Sequence, residues 1–150
     1  MKIAIGCDHA GLQLKEAIKT ELARLGLEVA DVGTNSCDSV DYPDFGQMAA
    51  QMVSSGKAQR GILICGTGIG MSIVANKFNG IRAALCNDVQ TAILSREHND
   101  SNVLVLGARV TAQELALEML RVWLDTPYEG GRHQRRLQKL KNIEDSVKDG

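Results

Sequence analysis

The stretch Gly61-Ile62-Leu63-Ile64-Cys65-Gly66-Thr67-Gly68-Ile69-Gly70 decides the fold. Its first half is apolar without alternation, which suits a strand inside a parallel sheet covered on both faces. Its second half carries three alternate glycines, which let the backbone turn sharply and present several N–H groups at the positive end of a following helix. Strand, tight turn and helix make one βα unit, and the pattern recurs on both sides. Upstream, Ile3-Ala4-Ile5 opens a strand, and Leu14, Ile18, Leu22 and Leu25 recur at helical spacing before Gly26. Residues 27–32 read as a second strand ended by Gly33, and Asp41 caps a helix that holds Pro43 in its first turn and runs through Met48 and Met52 to Gly56. Downstream, the helix after the glycines ends at Asn76 or Lys77, followed by a strand over 81–86, a helix over 89–96 and a strand over 102–106. Thr111-Ala112-Gln113-Glu114 has the form of a capping box opening a helix through Leu115, Leu120 and Trp123. The polar, basic segment 129–148 reads as a last helix whose thin hydrophobic face suits packing across another subunit. These elements predict one α/β domain over 1–150, a Rossmann-like three-layer sandwich with a five-stranded parallel, doubly wound sheet and a C-terminal helix.

Composition narrows the function. The 150 residues are 44% hydrophobic and 23% charged, and 17 basic against 18 acidic residues leave a net charge of −1. That balance excludes a general polyanion binder but not a local phosphate site. One Trp, two Tyr and two Phe leave an aliphatic core and few stacking platforms for single-stranded nucleic acid. The run from Gly61 to Asn76 is broken by polar residues and glycines and is no membrane span, and the N-terminus meets Asp8 and His9 too soon for a signal sequence. Cys7, Cys37, Cys65 and Cys86 show no CxxC spacing, so neither a disulfide framework nor a metal site is expected, and the expected compartment is the cytoplasm.

Ligands of doubly wound sheets bind beyond the carboxyl ends of the strands. The informative residues are therefore Cys7-Asp8-His9, the 65–70 turn and Cys86-Asn87-Asp88, with His98-Asn99-Asp100 between the fourth helix and the fifth strand. The glycine turn favours an oxyanion or phosphate nest. It misses the dinucleotide fingerprint by one residue, although Asp88 stands at a distance that suits a ribose-binding acid. Cys65, just before a helix N-terminus where thiolate is favoured, can serve as a nucleophile, a metal ligand or a general base. His9 and His98 are placed to trade protons near neutral pH, whereas His133 reads as a structural hydrogen-bonder. Arg132 and Arg136, four apart, point the same way on a helix and can clamp one phosphate together.

Several motifs together carry a resemblance over nearly the whole chain. Gly6-Cys7-Asp8-His9-Ala10-Gly11, Asp41-Tyr42-Pro43, the 64–70 turn, Asn76-Lys77, Gly80-Ile81-Arg82, His98-Asn99-Asp100 and Tyr128-Glu129-Gly130-Gly131-Arg132-His133 make the sequence similar to the ribose-5-phosphate isomerase B family. The wider family holds galactose-6-phosphate isomerase subunits, which generally lack the last two motifs. The resemblance implies a cofactor-free and metal-free aldose–ketose isomerase of the pentose phosphate pathway, acting through ring opening and a cis-enediolate on a sugar-phosphate substrate. It also implies a homodimer, sometimes paired into tetramers, with interfacial active sites. On that resemblance Cys65 matches the base between C2 and C1, His98 the ring-opening acid, and Asp8 a residue handling hydroxyl protons. Thr67, Gly66, Gly68, Ile69 and Gly70 match the cradle around the enediolate, and Asn99 a sugar contact. His9, Arg109, Arg132 and Arg136 match phosphate-side positions. A nucleotide-binding regulatory module and a catalytically silent sugar-phosphate sensor are the competing classes.

Overall fold

The computed structural model describes residues 1–149. Five parallel strands, β1 (Lys2–Cys7), β2 (Glu28–Asp31), β3 (Arg60–Cys65), β4 (Ala83–Leu85) and β5 (Val103–Gly107), form one sheet in the order β2-β1-β3-β5-β4. Helices α1 (Leu12–Arg24), α2 (Tyr42–Ser54), α3 (Ile69–Ala75), α4 (Val89–Glu97), α5 (Gln113–Asp125) and α6 (Arg132–Asp149) complete the chain.

Period-two alternation sorts the strand side chains into two cores. Ile3, Ile5, Ile62, Ile64, Leu104 and Leu106 face α1, α4 and α5 through Ile18, Leu22, Ala92, Met119 and Trp123. Ala4, Leu63, Cys65, Val103 and Val105 face α2 and α3 through Ala49, Ala50, Val53, Met71 and Ala75. The expected three-layer α/β sandwich is present. The chain does not add its last two strands in sequence order, because the fully buried Val-Leu-Val-Leu of β5 takes the inner position. The short β4, only partly buried, is left at the edge, where an unpaired side is tolerated.

Two local expectations fail. The capping box at Thr111 does not form, because α5 starts one residue later with Ala112 at its N-cap and no side-chain cap bond, and Thr111 Oγ1 is buried without a partner among the described residues. Asp41 occupies the N-cap of α2, but its carboxylate accepts no capping hydrogen bond. The expected strands at 27–32 and 81–86 are each trimmed to the residues that pair with a neighbour.

Outside the sheet, Glu21 ties α1 to α5. Its carboxylate accepts from Arg24 Nη2 at 2.6 Å, Arg24 Nε at 3.1 Å and Arg121 Nε at 2.8 Å. The Arg24 and Arg121 hydrogen bonds hold its pKa down at about 2, against 4.5 ordinarily. A depressed folded-state pKa contributes stability that is full above the ordinary carboxylate value and is lost as pH falls toward the folded one. Glu21→Gln is therefore expected to flatten the pH dependence of urea midpoints between about pH 5 and pH 2. An unchanged slope would contradict the pairing.

Candidate functional site

The sheet order reverses between β1 and β3, and the carboxyl ends of these strands flank the first group of residues. The Asp8 N–H donates to Ile64 O at 3.2 Å, which sets the residue after β1 beside the end of β3. Its carboxylate Oδ1 accepts from Ala10 N at 3.0 Å and Gly11 N at 3.3 Å, capping a short 3-10 turn over His9–Gly11.

Cys65 ends β3, 5% exposed, and its Sγ accepts the Gly68 N–H at 3.2 Å. That contact fixes the sulfur at the mouth of the glycine turn. Gly68 has φ +83, and a Cβ there would strike Leu85 Cδ1, so the turn that brings its N–H to Cys65 requires glycine. At Gly70 a Cβ would lie 2.6 Å from Cζ of Tyr42, whose ring therefore covers this part of the turn. Thr67 Oγ1 accepts from Ile69 N at 3.2 Å. The loop after β5 joins the group. Ala108 N and Arg109 N donate to Cys65 O and Gly66 O, both at 2.9 Å, and Arg109 lies against Gly66.

His9 is oriented from β2. Buried Lys15 donates to Thr34 O at 2.7 Å, Asn35 Oδ1 at 3.0 Å and Asp31 Oδ1 at 3.1 Å, which pins the loop after β2. Farther along that loop, Val40 N donates to His9 Nδ1 at 3.1 Å. With Nδ1 accepting, the proton of the neutral imidazole sits on Nε2.

The second group lies elsewhere. His98 is the C-cap of α4, and Asn99 and Asp100 precede β5, so all three stand at the amino edge of the sheet. The register pairs Gly61 with Val103 and Cys65 with Gly107, so this edge is about 13 Å of strand from Cys65. His98 and Asn99 therefore do not share one edge with the other polar candidates, contrary to expectation, because the chain has just left α4 rather than a strand. The His98 loop is strongly held. Buried Arg96 donates to Asp100 Oδ1 at 2.7 Å, to Ser101 O and to Thr126 O, while Arg82 Nε donates to Asn99 O and Asp100 O, both at 3.0 Å. These bonds stabilise Asp100 at φ 47. Ser101 Oγ in turn accepts from Trp123 Nε1 at 2.8 Å.

The loop before α6 and the first turn of α6 join this second group, with Glu129 N of that loop donating to Glu97 O at 3.1 Å. His98, Asn99, Arg132, His133 and Arg136 line one cavity of about 390 Å³. The structural hydrogen bond expected of His133 is not made at its Nε2 among the described residues. His133 is buried, and its ring stacks on His98 with centroids 4.2 Å apart. Only the return of α6 creates that contact, so no local sequence signal could announce it. Ligand atoms of His98, Glu129 and His133 fall within 4.8 Å of one another. Stacked rings only 20° from parallel send their in-plane lone pairs side by side rather than to a common point, which fits a metal ion poorly. Asp88 is occupied as the N-cap of α4, accepting from Thr91 N at 2.7 Å and Thr91 Oγ1 at 2.8 Å, so the dinucleotide alternative loses its acid.

A family model described as Ribose/Galactose Isomerase matches residues 3–140. The chain belongs to the ribose/galactose isomerase family. Ribose-5-phosphate isomerase B of Escherichia coli is 51% identical over 143 residues, 95% of this chain and 96% of that protein. The D-erythrulose-4-phosphate isomerase of Pectobacterium atrosepticum is 46% identical over 141 residues, 93% of each. The solved structure of Clostridium thermocellum ribose-5-phosphate isomerase B superimposes with a TM-score of 0.96 at 52% identity, covering 98% of this chain and 99% of that one. The expected family and the expected isomerase class are thereby met. No helix among the described residues is long and apolar enough to cross a membrane.

The four thiols differ in surroundings. Burial pushes Cys7 up to about 11, against the lowering influence of Lys15, and burial also raises Cys86, whereas Cys37 is exposed. The thiolate is the reactive form, and at pH 8 about one Cys7 in a thousand carries it. An alkylating reagent at pH 8, read by peptide mass mapping, is expected to mark Cys37 early and Cys7 last. Early labelling of Cys7 in folded protein would contradict these environments.

Proposed function

We propose that the whole chain, as one sugar-phosphate isomerase domain, interconverts D-ribose 5-phosphate and D-ribulose 5-phosphate in the cytoplasm, as part of the pentose phosphate pathway. The observation that carries this reading is the site at the end of β3. Cys65, with a backbone N–H on its sulfur, stands beside Asp8, Thr67 and a glycine turn, and the family is one of isomerases.

Removing the C2 proton of an open-chain aldose phosphate creates an enediolate, which needs donors already aimed in a sheltered place. Cys65 as thiolate takes that proton and returns it to C1, so the carbonyl moves from C1 to C2. The backbone of Gly66, Gly68, Ile69 and Gly70 and the Thr67 hydroxyl suit the oxygens that gain charge, and Asp8 moves protons between O1 and O2. The substrate is mostly a furanose, so a proton must first pass to its ring oxygen, the task assigned to His98, with Asn99 as a sugar contact. The phosphate does not react. Its clamp, from His9 Nε2–H and Arg109 on one side and Arg132 and Arg136 on the other, fixes where the reacting carbons lie. The reading calls for no metal or organic cofactor.

A second copy completes the site, because one copy holds the two groups at opposite edges of its sheet. The apolar side of α6 supports the same arrangement. Leu140, Ile143 and Val147 are 49%, 60% and 73% exposed, and with Phe78 and Ile81 they line a groove of about 840 Å³. Faces like these are normally covered by a partner, and a homodimer, alone or paired into a tetramer, covers them.

A second reading, isomerisation of a four-carbon sugar phosphate, rests on the Pectobacterium relative. Ketose formation from ribose 5-phosphate, allose 6-phosphate and erythrose 4-phosphate, the aldose partner of D-erythrulose 4-phosphate, measured side by side, separates the substrates. Ribose 5-phosphate is expected to turn over fastest, and Cys65→Ala is expected to lower kcat at least about 10²–10⁴-fold. A faster reaction of another sugar would keep the mechanism and replace the substrate, and a fully active Cys65→Ala would remove Cys65 as the base.

A further inference from the structure

His133 is 5% exposed, and its Nε2 is buried with no hydrogen-bond partner among the described residues. A buried polar atom left in that state disfavours folding, so its presence asks for a reason. The surroundings supply one. The His133 ring lies on the His98 ring, centroids 4.2 Å apart and planes 20° from parallel. In the loop before α6, four residues earlier, Glu129 places Oε2 at 3.5 Å from His133 Nε2, too far for a hydrogen bond but close enough to bias where that edge of the ring points. Glu129 is itself fixed, since its N–H donates to Glu97 O beside His98.

We infer that His133, held by Glu129, is a positioning residue that fixes the plane of the His98 imidazole. The inference rests on the ring-opening role proposed for His98 and deepens it. The backbone of His98 is anchored by its own bond to Leu94 O at 2.9 Å and, through Asp100, by Arg96. None of those bonds stops the imidazole turning about its last side-chain torsion, which is broad for such a ring. Proton transfer runs along a direction within the ring plane, so a ring free to turn is aligned only part of the time. A flat neighbour stacked on one face removes that freedom and leaves the ring edge directed at the cavity shared with Asn99, Arg132 and Arg136.

The C–H step at Cys65 does not use that plane, and this separates the inference from a general loss of structure. Two readouts are needed. The first is kcat and KM for ribose 5-phosphate, which must be opened before it reacts. The second is exchange of solvent deuterium into C1 of ribulose 5-phosphate, an open-chain ketose whose exchange needs Cys65, the enediolate cradle and the phosphate clamp but no ring opening. His133→Ala is expected to lower kcat about ten- to a hundredfold with KM within about twofold and exchange retained. His133→Phe keeps a flat face and is expected to regain most of that loss, and Glu129→Gln, on the surface, is expected to show the same pattern to a smaller degree. Retained exchange also reports that each variant is folded. Unchanged kcat in His133→Ala, a change confined to KM, or equal loss of turnover and exchange would overturn the positioning role. His98→Asn is the reference for the reading beneath it. If that variant loses exchange as fully as turnover, the ring-opening role of His98 fails, independently of how His133 behaves.

Discussion

In a parallel sheet every strand runs the same way, so each connecting helix must carry the chain back to the edge where the strands begin. Residues that follow strands and residues that follow helices are thereby placed at opposite edges of one copy. Cys65 ends a strand, and Asp8, His9, the glycine turn and Arg109 follow strands, whereas His98 and Asn99 follow α4 and Arg132, His133 and Arg136 open α6, after the chain has returned through α5. The rest of the account depends on that separation. The carboxyl edge has a buried sulfur, a backbone donor and a carboxylate. The amino edge has two stacked imidazoles and two arginines on exposed positions of α6.

Each edge is built from buried polar groups that serve it. At the carboxyl edge, the ammonium of Lys15 sits where a charge is costly unless paired, and its three acceptors offset that cost while fixing the loop that orients His9. Asp31 is among them. Burial alone would raise its pKa, but the hydrogen bonds from Lys19 and Lys15 outweigh burial and lower it. At the amino edge Arg96 has the same function, spreading its donors over Asp100, Ser101 and Thr126 so that the loop carrying the left-handed Asp100 keeps one shape. Both clusters spend buried charge on loops rather than on the sheet, as a pre-organised site requires.

Much of this was legible in the sequence because the signals are local. The unbroken apolar run before Cys65, the three alternate glycines and the helical spacing of Leu14, Ile18 and Leu22 each act within a few residues, and each element formed where expected. Strand order was not legible, since it turns on β5 being more apolar than β4, a comparison that no single segment contains. Thr111 matched a capping box in letters only, because the helix start moved by one residue. Asp88 had the spacing of a ribose acid yet caps α4, which the sequence also allows. The placement of His98 followed from topology once α4 was seen to end there. The burial of His133 did not follow from anything local, because it needs α6 to return beside α4. The role of Arg109 rested on resemblance, that of Arg132 and Arg136 on their helical spacing as well, and the grouping of the three at two edges came only from the structure.

The central claim is that a working site takes Cys65 from one copy and His98 from another. Mixing two separately purified variants, Cys65→Ala and His98→Asn, after reversible dissociation tests it most directly. Each variant alone is inactive in every copy, but a mixed dimer holds one site with both residues intact. Random re-association then restores about a quarter of wild-type ribose 5-phosphate turnover. A mixture that exchanges subunits, shown by mass spectrometry of the mixed dimer, and yet stays as inactive as its components would contradict the account.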